Sequence, residues 1–313
     1  MLTRENLVGP WAGLPVAWTS DDQFDEQLYR QDVARCCKAG VPGIYTAGST
    51  GEFFAMEIDE FRHVTRATCE EAKLQGTPVL IGCTSTYTLG ATRRIEIAAE
   101  YGADGIQLAL PYWYTVDDDW YLRFFEEVAA AVGNMAVSLY ETKRAKKVLS
   151  IDQHLAVKDL VPGYMMVKSN AGTIGFTPDG CAALSQIVNV FVHEPAWAQF
   201  FPKGAVGSAS SIVYWNPKVI LDLWDCVKAK RWDQAAARCA KLEQLVNFVE
   251  SYYGPMGYTD SAYDRLGGAA TGFLKGGVNN RGPYHQPTAN DVAAFQQWCR
   301  EHFPEMLDLE GIT

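Results

Sequence analysis

The chain has 313 residues, 48% of them apolar, and a formal net charge of −10. That length suits one barrel of eight βα units with an appendage, and the apolar content excludes a disordered chain or a small disulfide scaffold. No Lys/Arg run dominates a face, which argues against nucleic acid as a partner, and no window is long and apolar enough to span a membrane. Eight cysteines are scattered without a C-x-x-C pair. They read as small buried thiols of a reducing cytoplasm, not as zinc ligands. The first residues lack a signal peptide's apolar core, so a soluble cytoplasmic protein is expected.

Short apolar runs alternate with longer amphipathic segments, the pattern of a parallel sheet covered by helices. Strands are predicted at 14–19, 43–48, 78–83, 105–111, 135–141, 164–170, 188–194 and 205–212. Helical segments between them include 25–39, 59–73 and 117–132. Eight such units within about 230 residues predict a closed (β/α)8 TIM barrel. A doubly wound sheet would carry a Gly-rich dinucleotide turn, which is absent. The division expected is a catalytic barrel over residues 1–231 and a helical extension over 232–313 packed on it. The extension contains helical stretches at 232–252, 259–275 and 288–302.

Active sites of such barrels lie at the C-terminal ends of the strands, so polar residues there are the candidates. Lys168 follows the apolar run Tyr164-Met165-Met166-Val167. Burial disfavours the charged form of a lysine, and a neutral amine attacks a ketone to give an imine. A lysine leaving a strand to pair with a surface carboxylate is an equally common arrangement. Gly48-Ser49-Thr50-Gly51 offers two hydroxyls and backbone N–H groups for a carboxylate, though such a turn also begins ordinary helices. Tyr140 ends the fifth strand, where a phenol can pass protons or simply pack. His193 and Glu194 end the seventh, and a histidine there is more often structural than a proton carrier.

Taken in order, these motifs resemble the dihydrodipicolinate synthase / N-acetylneuraminate lyase family of pyruvate-dependent class I aldolases. The resemblance rests on Gly48-Ser49-Thr50-Gly51-Glu52, Leu110-Pro111-Tyr112-Trp113-Tyr114, Tyr140, Lys168, and Gly204-Ala205-Val206-Gly207-Ser208. It implies that Lys168 forms the Schiff base with pyruvate and that Tyr140 relays protons. It implies that Ser49 and Thr50, with backbone N–H groups around Gly51, bind the carboxylate, and that the Gly207-Ser208 region lines the pocket. No metal or organic cofactor is implied beyond the imine itself. A homotetramer or dimer is the family expectation.

Three positions depart from the synthase pattern. Trp113 replaces a tyrosine that in the synthases reaches a neighbouring subunit's site, and indole cannot relay a proton as phenol does. Ala145 stands where the synthases place a substrate-binding arginine, with Arg144 one residue away. Asn170 stands where the lyases place a hydroxyl residue, so it and Glu194 are candidate contacts for the second substrate. The leading expectation is a lyase or aldolase that makes or breaks a C–C bond between pyruvate and an aldehyde. The alternatives are a hydratase-aldolase, a 2-keto-3-deoxy acid dehydratase, a 4-hydroxy-tetrahydrodipicolinate synthase, and a catalytically silent keto-acid or sugar-acid binder. The last is disfavoured because a silent binder needs no amine nucleophile.

Overall fold

The computed structural model describes residues 1–312. Eight parallel strands close into a barrel in sequential order. They are β1 (Gly9–Gly13), β2 (Ile44–Thr46), β3 (Val79–Gly82), β4 (Gly105–Leu108), β5 (Ala136–Tyr140), β6 (Tyr164–Lys168), β7 (Asn189–Phe191) and β8 (Ala205–Ser210). Around the barrel run α1 (Glu26–Lys38), α2 (Ile58–Leu74), α3 (Thr88–Glu100), α4 (Trp120–Val132), α5 (Ile151–Leu160), α6 (Pro178–Leu184), α7 (Trp197–Phe200), α8 (Ile212–Trp215) and α9 (Pro217–Lys228). The chain continues into α10 (Trp232–Tyr253), α11 (Asp260–Thr271) and α12 (Ala289–His302). Local chemistry starts the helices: Asp25 accepts from the Leu28 amide, and Ser150 with Gln153 forms a capping box on α5.

The first strand lies earlier than the sequence predicts, at Gly9–Gly13 and not at 14–19. Gly9 and Pro10 disguise it, but Trp11 is fully buried and its ring lies against Gly43, where a Cβ would come within 2.3 Å. The apolar run 14–19 is buried without being a strand. Trp18 donates its indole N–H to Glu52 at 2.7 Å and receives an Asn279 amide on its carbonyl at 3.0 Å. Burial alone therefore mimicked a strand signal.

Two apolar layers hold the barrel. Leu2, Leu7, Trp11, Tyr45, Leu80, Met166 and Phe191 belong to the layer that fills its interior. A second, continuous layer packs between strands and helices and extends through Leu242, Leu266 and Phe295 of the last three helices. All eight cysteines are buried and unpaired. Helix α11 approaches the barrel closely because Gly267 leaves room for Trp215, whose ring a Cβ would meet at 2.1 Å. Trp215 in turn donates its indole N–H to the Asp264 carbonyl at 3.1 Å. That contact brings the acidic end of α11 over the strand ends.

Candidate active site

The register of β5 on β6 pairs Tyr140 with Lys168, and β6 on β7 pairs Lys168 with Phe191. Both candidate side chains thus emerge side by side at the C-terminal mouth. The Lys168 Nζ lies 4.6 Å from the centroid of the Tyr140 ring. Asn170 donates its amide N–H to the Tyr140 hydroxyl at 2.8 Å. Since the phenol oxygen accepts from Asn170, its own proton stays free to be given to a reacting oxygen.

An inner chamber of about 300 Å³ contains Lys168, Tyr140, Ser49, Thr50, Asn170, Glu194 and Ser208 in its wall. Glu194 is fully buried and accepts from Ser208 at 2.8 Å and Ser210 at 2.5 Å. Its Oε2 has no partner among the described residues. Burial raises its pKa; the serine hydroxyls and the Lys168 charge oppose that shift. His193 sits exposed at the chamber's edge, its ring 5.2 Å from that of Phe176.

The same wall holds Asp264, which sequence reasoning missed. It is buried, and the Thr50 hydroxyl donates to its Oδ2. Burial pushes its pKa up to about 7 against the pull of Thr50, Ser211 and Lys168. A signal was present: Asp264-Arg265 stands in a run of small and apolar residues, Leu266-Gly267-Gly268-Ala269-Ala270, which is no pattern for a solvated helix face.

Three predicted site residues lie elsewhere. Trp113 is 68% exposed and lines neither chamber; its carbonyl accepts from Lys146 at 2.8 Å. The turn after β4 swings it outward, leaving Tyr112 on the pocket side, packed edge-on against Phe53 at 6.2 Å. Gly51 is a packing glycine whose Cβ would meet the Ala47 amide at 2.6 Å, so it shapes the turn from behind. Gly207 sits in the barrel wall, where a Cβ would come within 2.4 Å of the Gly9 carbonyl. Behind the same turn, Glu52 is buried in an ion pair with Arg265 of α11. Glu141 turns away from the mouth and accepts from the Leu149 amide at 2.9 Å.

An outer chamber of about 350 Å³ shares Tyr45, Ser49, Tyr140 and Asp260 with the inner one. Phe53, Phe54, Tyr112 and Tyr284 give it an aromatic wall, with Ala109 and Ala145 between. Arg144 faces it too, held by Asp260 through two hydrogen bonds of 2.8 and 3.0 Å.

A parallel eightfold barrel with polar and titratable side chains gathered at its C-terminal mouth has the architecture of a barrel enzyme. The dihydrodipicolinate synthetase family model matches residues 9–262, and the chain belongs to that family. It is 30% identical over 220 residues to a probable 5-dehydro-4-deoxyglucarate dehydratase of Rhodococcus jostii (strain RHA1), covering 69% of this chain and 71% of that protein. It is 28% identical over 153 residues to a trans-O-hydroxybenzylidenepyruvate hydratase-aldolase of Pseudomonas putida, covering 47% of this chain and 46% of that protein. Among solved structures it is similar to YagE of E. coli K12 in complex with pyruvate, with TM-score 0.84, 20% identity, and coverage of 94% and 98% of the two chains.

Proposed function

We propose that the protein is a Schiff-base lyase that makes or breaks a C–C bond between pyruvate and an aldehyde, with the imine on Lys168. The observation that carries this is the pairing of Lys168 with Tyr140 in one chamber with the Ser49-Thr50 turn. The Lys168 amine adds to the keto carbon, and the carbinolamine oxygen leaves as water with protons supplied through Tyr140. Loss of a C3 proton to the Tyr140 oxygen gives an enamine, whose C3 attacks the aldehyde carbon; the new alkoxide takes that proton back through Tyr140, and water hydrolyses the product imine to free Lys168. The reverse sequence releases the aldehyde.

The outer chamber favours an apolar, arene-sized aldehyde over the distal carboxylate of a sugar diacid. Its aromatic wall would pack on a ring, and its cation Arg144 is already held by Asp260. A hydratase-aldolase that adds water to an arylidene pyruvate before cleavage is a second reading, favoured by the same aromatic wall and by the two buried acids beside Lys168.

The test is trapping: incubate with pyruvate, reduce with borohydride, and measure intact mass. The expected adduct maps to Lys168 and vanishes in Lys168→Ala. Its absence from the wild type, or its persistence in the variant, would overturn the proposal. Turnover of benzaldehyde-type aldehydes above hydroxylated aliphatic ones is expected; the opposite preference would overturn the outer-chamber assignment.

A further inference from the structure

The carboxylate cradle of the inner chamber contains an internal competitor. A threonine hydroxyl has one proton to give. In this structure Thr50 gives it to Asp264, a carboxylate that comes from α11 and not from the barrel strands. Thr50 also belongs to the turn assigned above to the carboxylate of the 2-oxo acid. While Asp264 is ionised and accepts that hydrogen bond, Thr50 presents only lone pairs to an incoming carboxylate. A protonated Asp264 reverses the chain: its O–H donates to the Thr50 oxygen, and the Thr50 O–H turns to the substrate.

We propose that Asp264 is a positioning residue that sets the donor direction of Thr50, so that capture of a 2-oxo acid carboxylate is coupled to uptake of one proton by Asp264. The inference rests on the 2-oxo-acid reading of the inner chamber. The proton comes from solvent and forms one O–H bond on Asp264 while the hydrogen bonds around Thr50 reverse, so the balance is one substrate anion and one proton bound together.

The surroundings suit such coupling. Burial already lifts the Asp264 pKa to about 7, and a bound anion would lift it further. From the turn after β2 come Thr50 and Glu52, the latter neutralised by Arg265. Strand β6 contributes Lys168, whose charge favours the ionised form, and the end of β7 contributes buried Glu194. Helix α8 contributes the buried Tyr214 phenol, with Ser211 at its N-terminus, and α10 contributes the exposed Glu250. On α11 itself Asp260 opposes ionisation, although Arg144 holds it, and Tyr263 lines the same wall. Helix α12, packed on α11, buries Phe295 and the Cys299 thiol, which burial pushes up to about 12.

The test is the pH dependence of pyruvate capture, read as the concentration that gives half-maximal borohydride trapping between pH 6 and 9. The readout is the difference in slope between wild type and variant. One coupled proton makes wild-type affinity fall about tenfold per pH unit above 7 relative to Asp264→Asn, whose amide donates to Thr50 at every pH. Thr50→Val, which removes the intermediary hydroxyl, is expected to lose the same slope at weaker affinity and answers the question if Asp264→Asn does not fold. Parallel slopes in wild type and variants would overturn the coupling while leaving the imine intact. Absence of any wild-type adduct would overturn the 2-oxo-acid reading and the coupling with it.

Discussion

Replacing Arg265 by Met tests whether α11 holds the Ser49-Thr50 turn in place. Arg265 and Glu52 form an ion pair with side chains only 1% and 0% exposed. Glu52 also accepts from Trp18 at 2.7 Å and from the Arg281 amide at 3.0 Å, and Arg265 donates to Asn280 at 2.8 Å. Removing one partner of a buried pair leaves the other charge uncompensated, a loss of about 3–5 kcal/mol. The lost Asn280 bond adds about 1 kcal/mol. Against a typical total stability of about 5–15 kcal/mol, the variant should be near the edge of folding at 37 °C. Urea unfolding by linear extrapolation reads this as a lower midpoint at unchanged slope. The double variant Glu52→Gln/Arg265→Met removes the stranded charge and should recover part of the loss. Because Glu52 has φ of +54° and ends the turn that carries Ser49 and Thr50, half-maximal pyruvate trapping should also move to higher concentration. A stability change under about 1 kcal/mol, with unaltered trapping, would refute the reasoning, since a carboxylate in that position cannot be left alone at so small a cost.

Stability should also depend on pH through Asp264. Its pKa is about 7 in the folded protein against an ordinary 3.8, so between those values the native state holds a proton that the unfolded state has lost. The contribution is therefore full below pH 4, falls as pH rises to 7, and is constant above, on the order of 4 kcal/mol in all. Asp264→Asn should accordingly gain thermal stability over wild type at pH 8 and lose that advantage toward pH 4; equal differences at both would contradict the shift. Glu194→Gln should act in the same direction, because burial raises that carboxyl too. Ala109→Leu should fill the outer chamber, raising the KM of an aromatic aldehyde roughly tenfold or more while pyruvate trapping stays within about twofold. Equal losses in both half-reactions would show that the two chambers do not divide the substrates.

The barrel was legible because its strands are short apolar runs spaced by amphipathic helices, and seven of the eight overlap the predicted positions. The first did not, for a reason specific to its residues. Gly9-Pro10-Trp11-Ala12-Gly13 has the composition of a turn, yet it supplies the Trp11 that plugs the barrel interior. The neighbouring run from Leu14 to Trp18 has the composition of a strand, yet it is a loop buried by tertiary partners, including the Arg281 guanidinium 3.7 Å from the Trp18 ring. Strand propensity reports burial as much as backbone pairing, and here the two parted. At the mouth, Lys168 and Tyr140 could be read because each ends a strand. Asp264 could not be read that way: it lies on a helix 96 residues beyond Lys168, placed by the contact of Gly267 with Trp215.

The carboxylates at the mouth set the charge that an anion would meet there. Glu194, Asp264, Asp260 and Glu250 all line the inner chamber with Lys168, a formal excess of negative charge in the chamber proposed to admit a 2-oxo acid. Two of them do not count in full. Burial raises the pKa of Glu194 and Asp264, favouring the neutral acids. Asp260 is bonded to Arg144, which offsets its charge. Beside Lys168 stand two acids whose ionisation burial opposes, bonded to the hydroxyls of Ser208, Ser210 and Thr50. A chamber of this kind repels a carboxylate less at pH 6 than at pH 9, and the net charge of −10 on the whole chain is no guide to it.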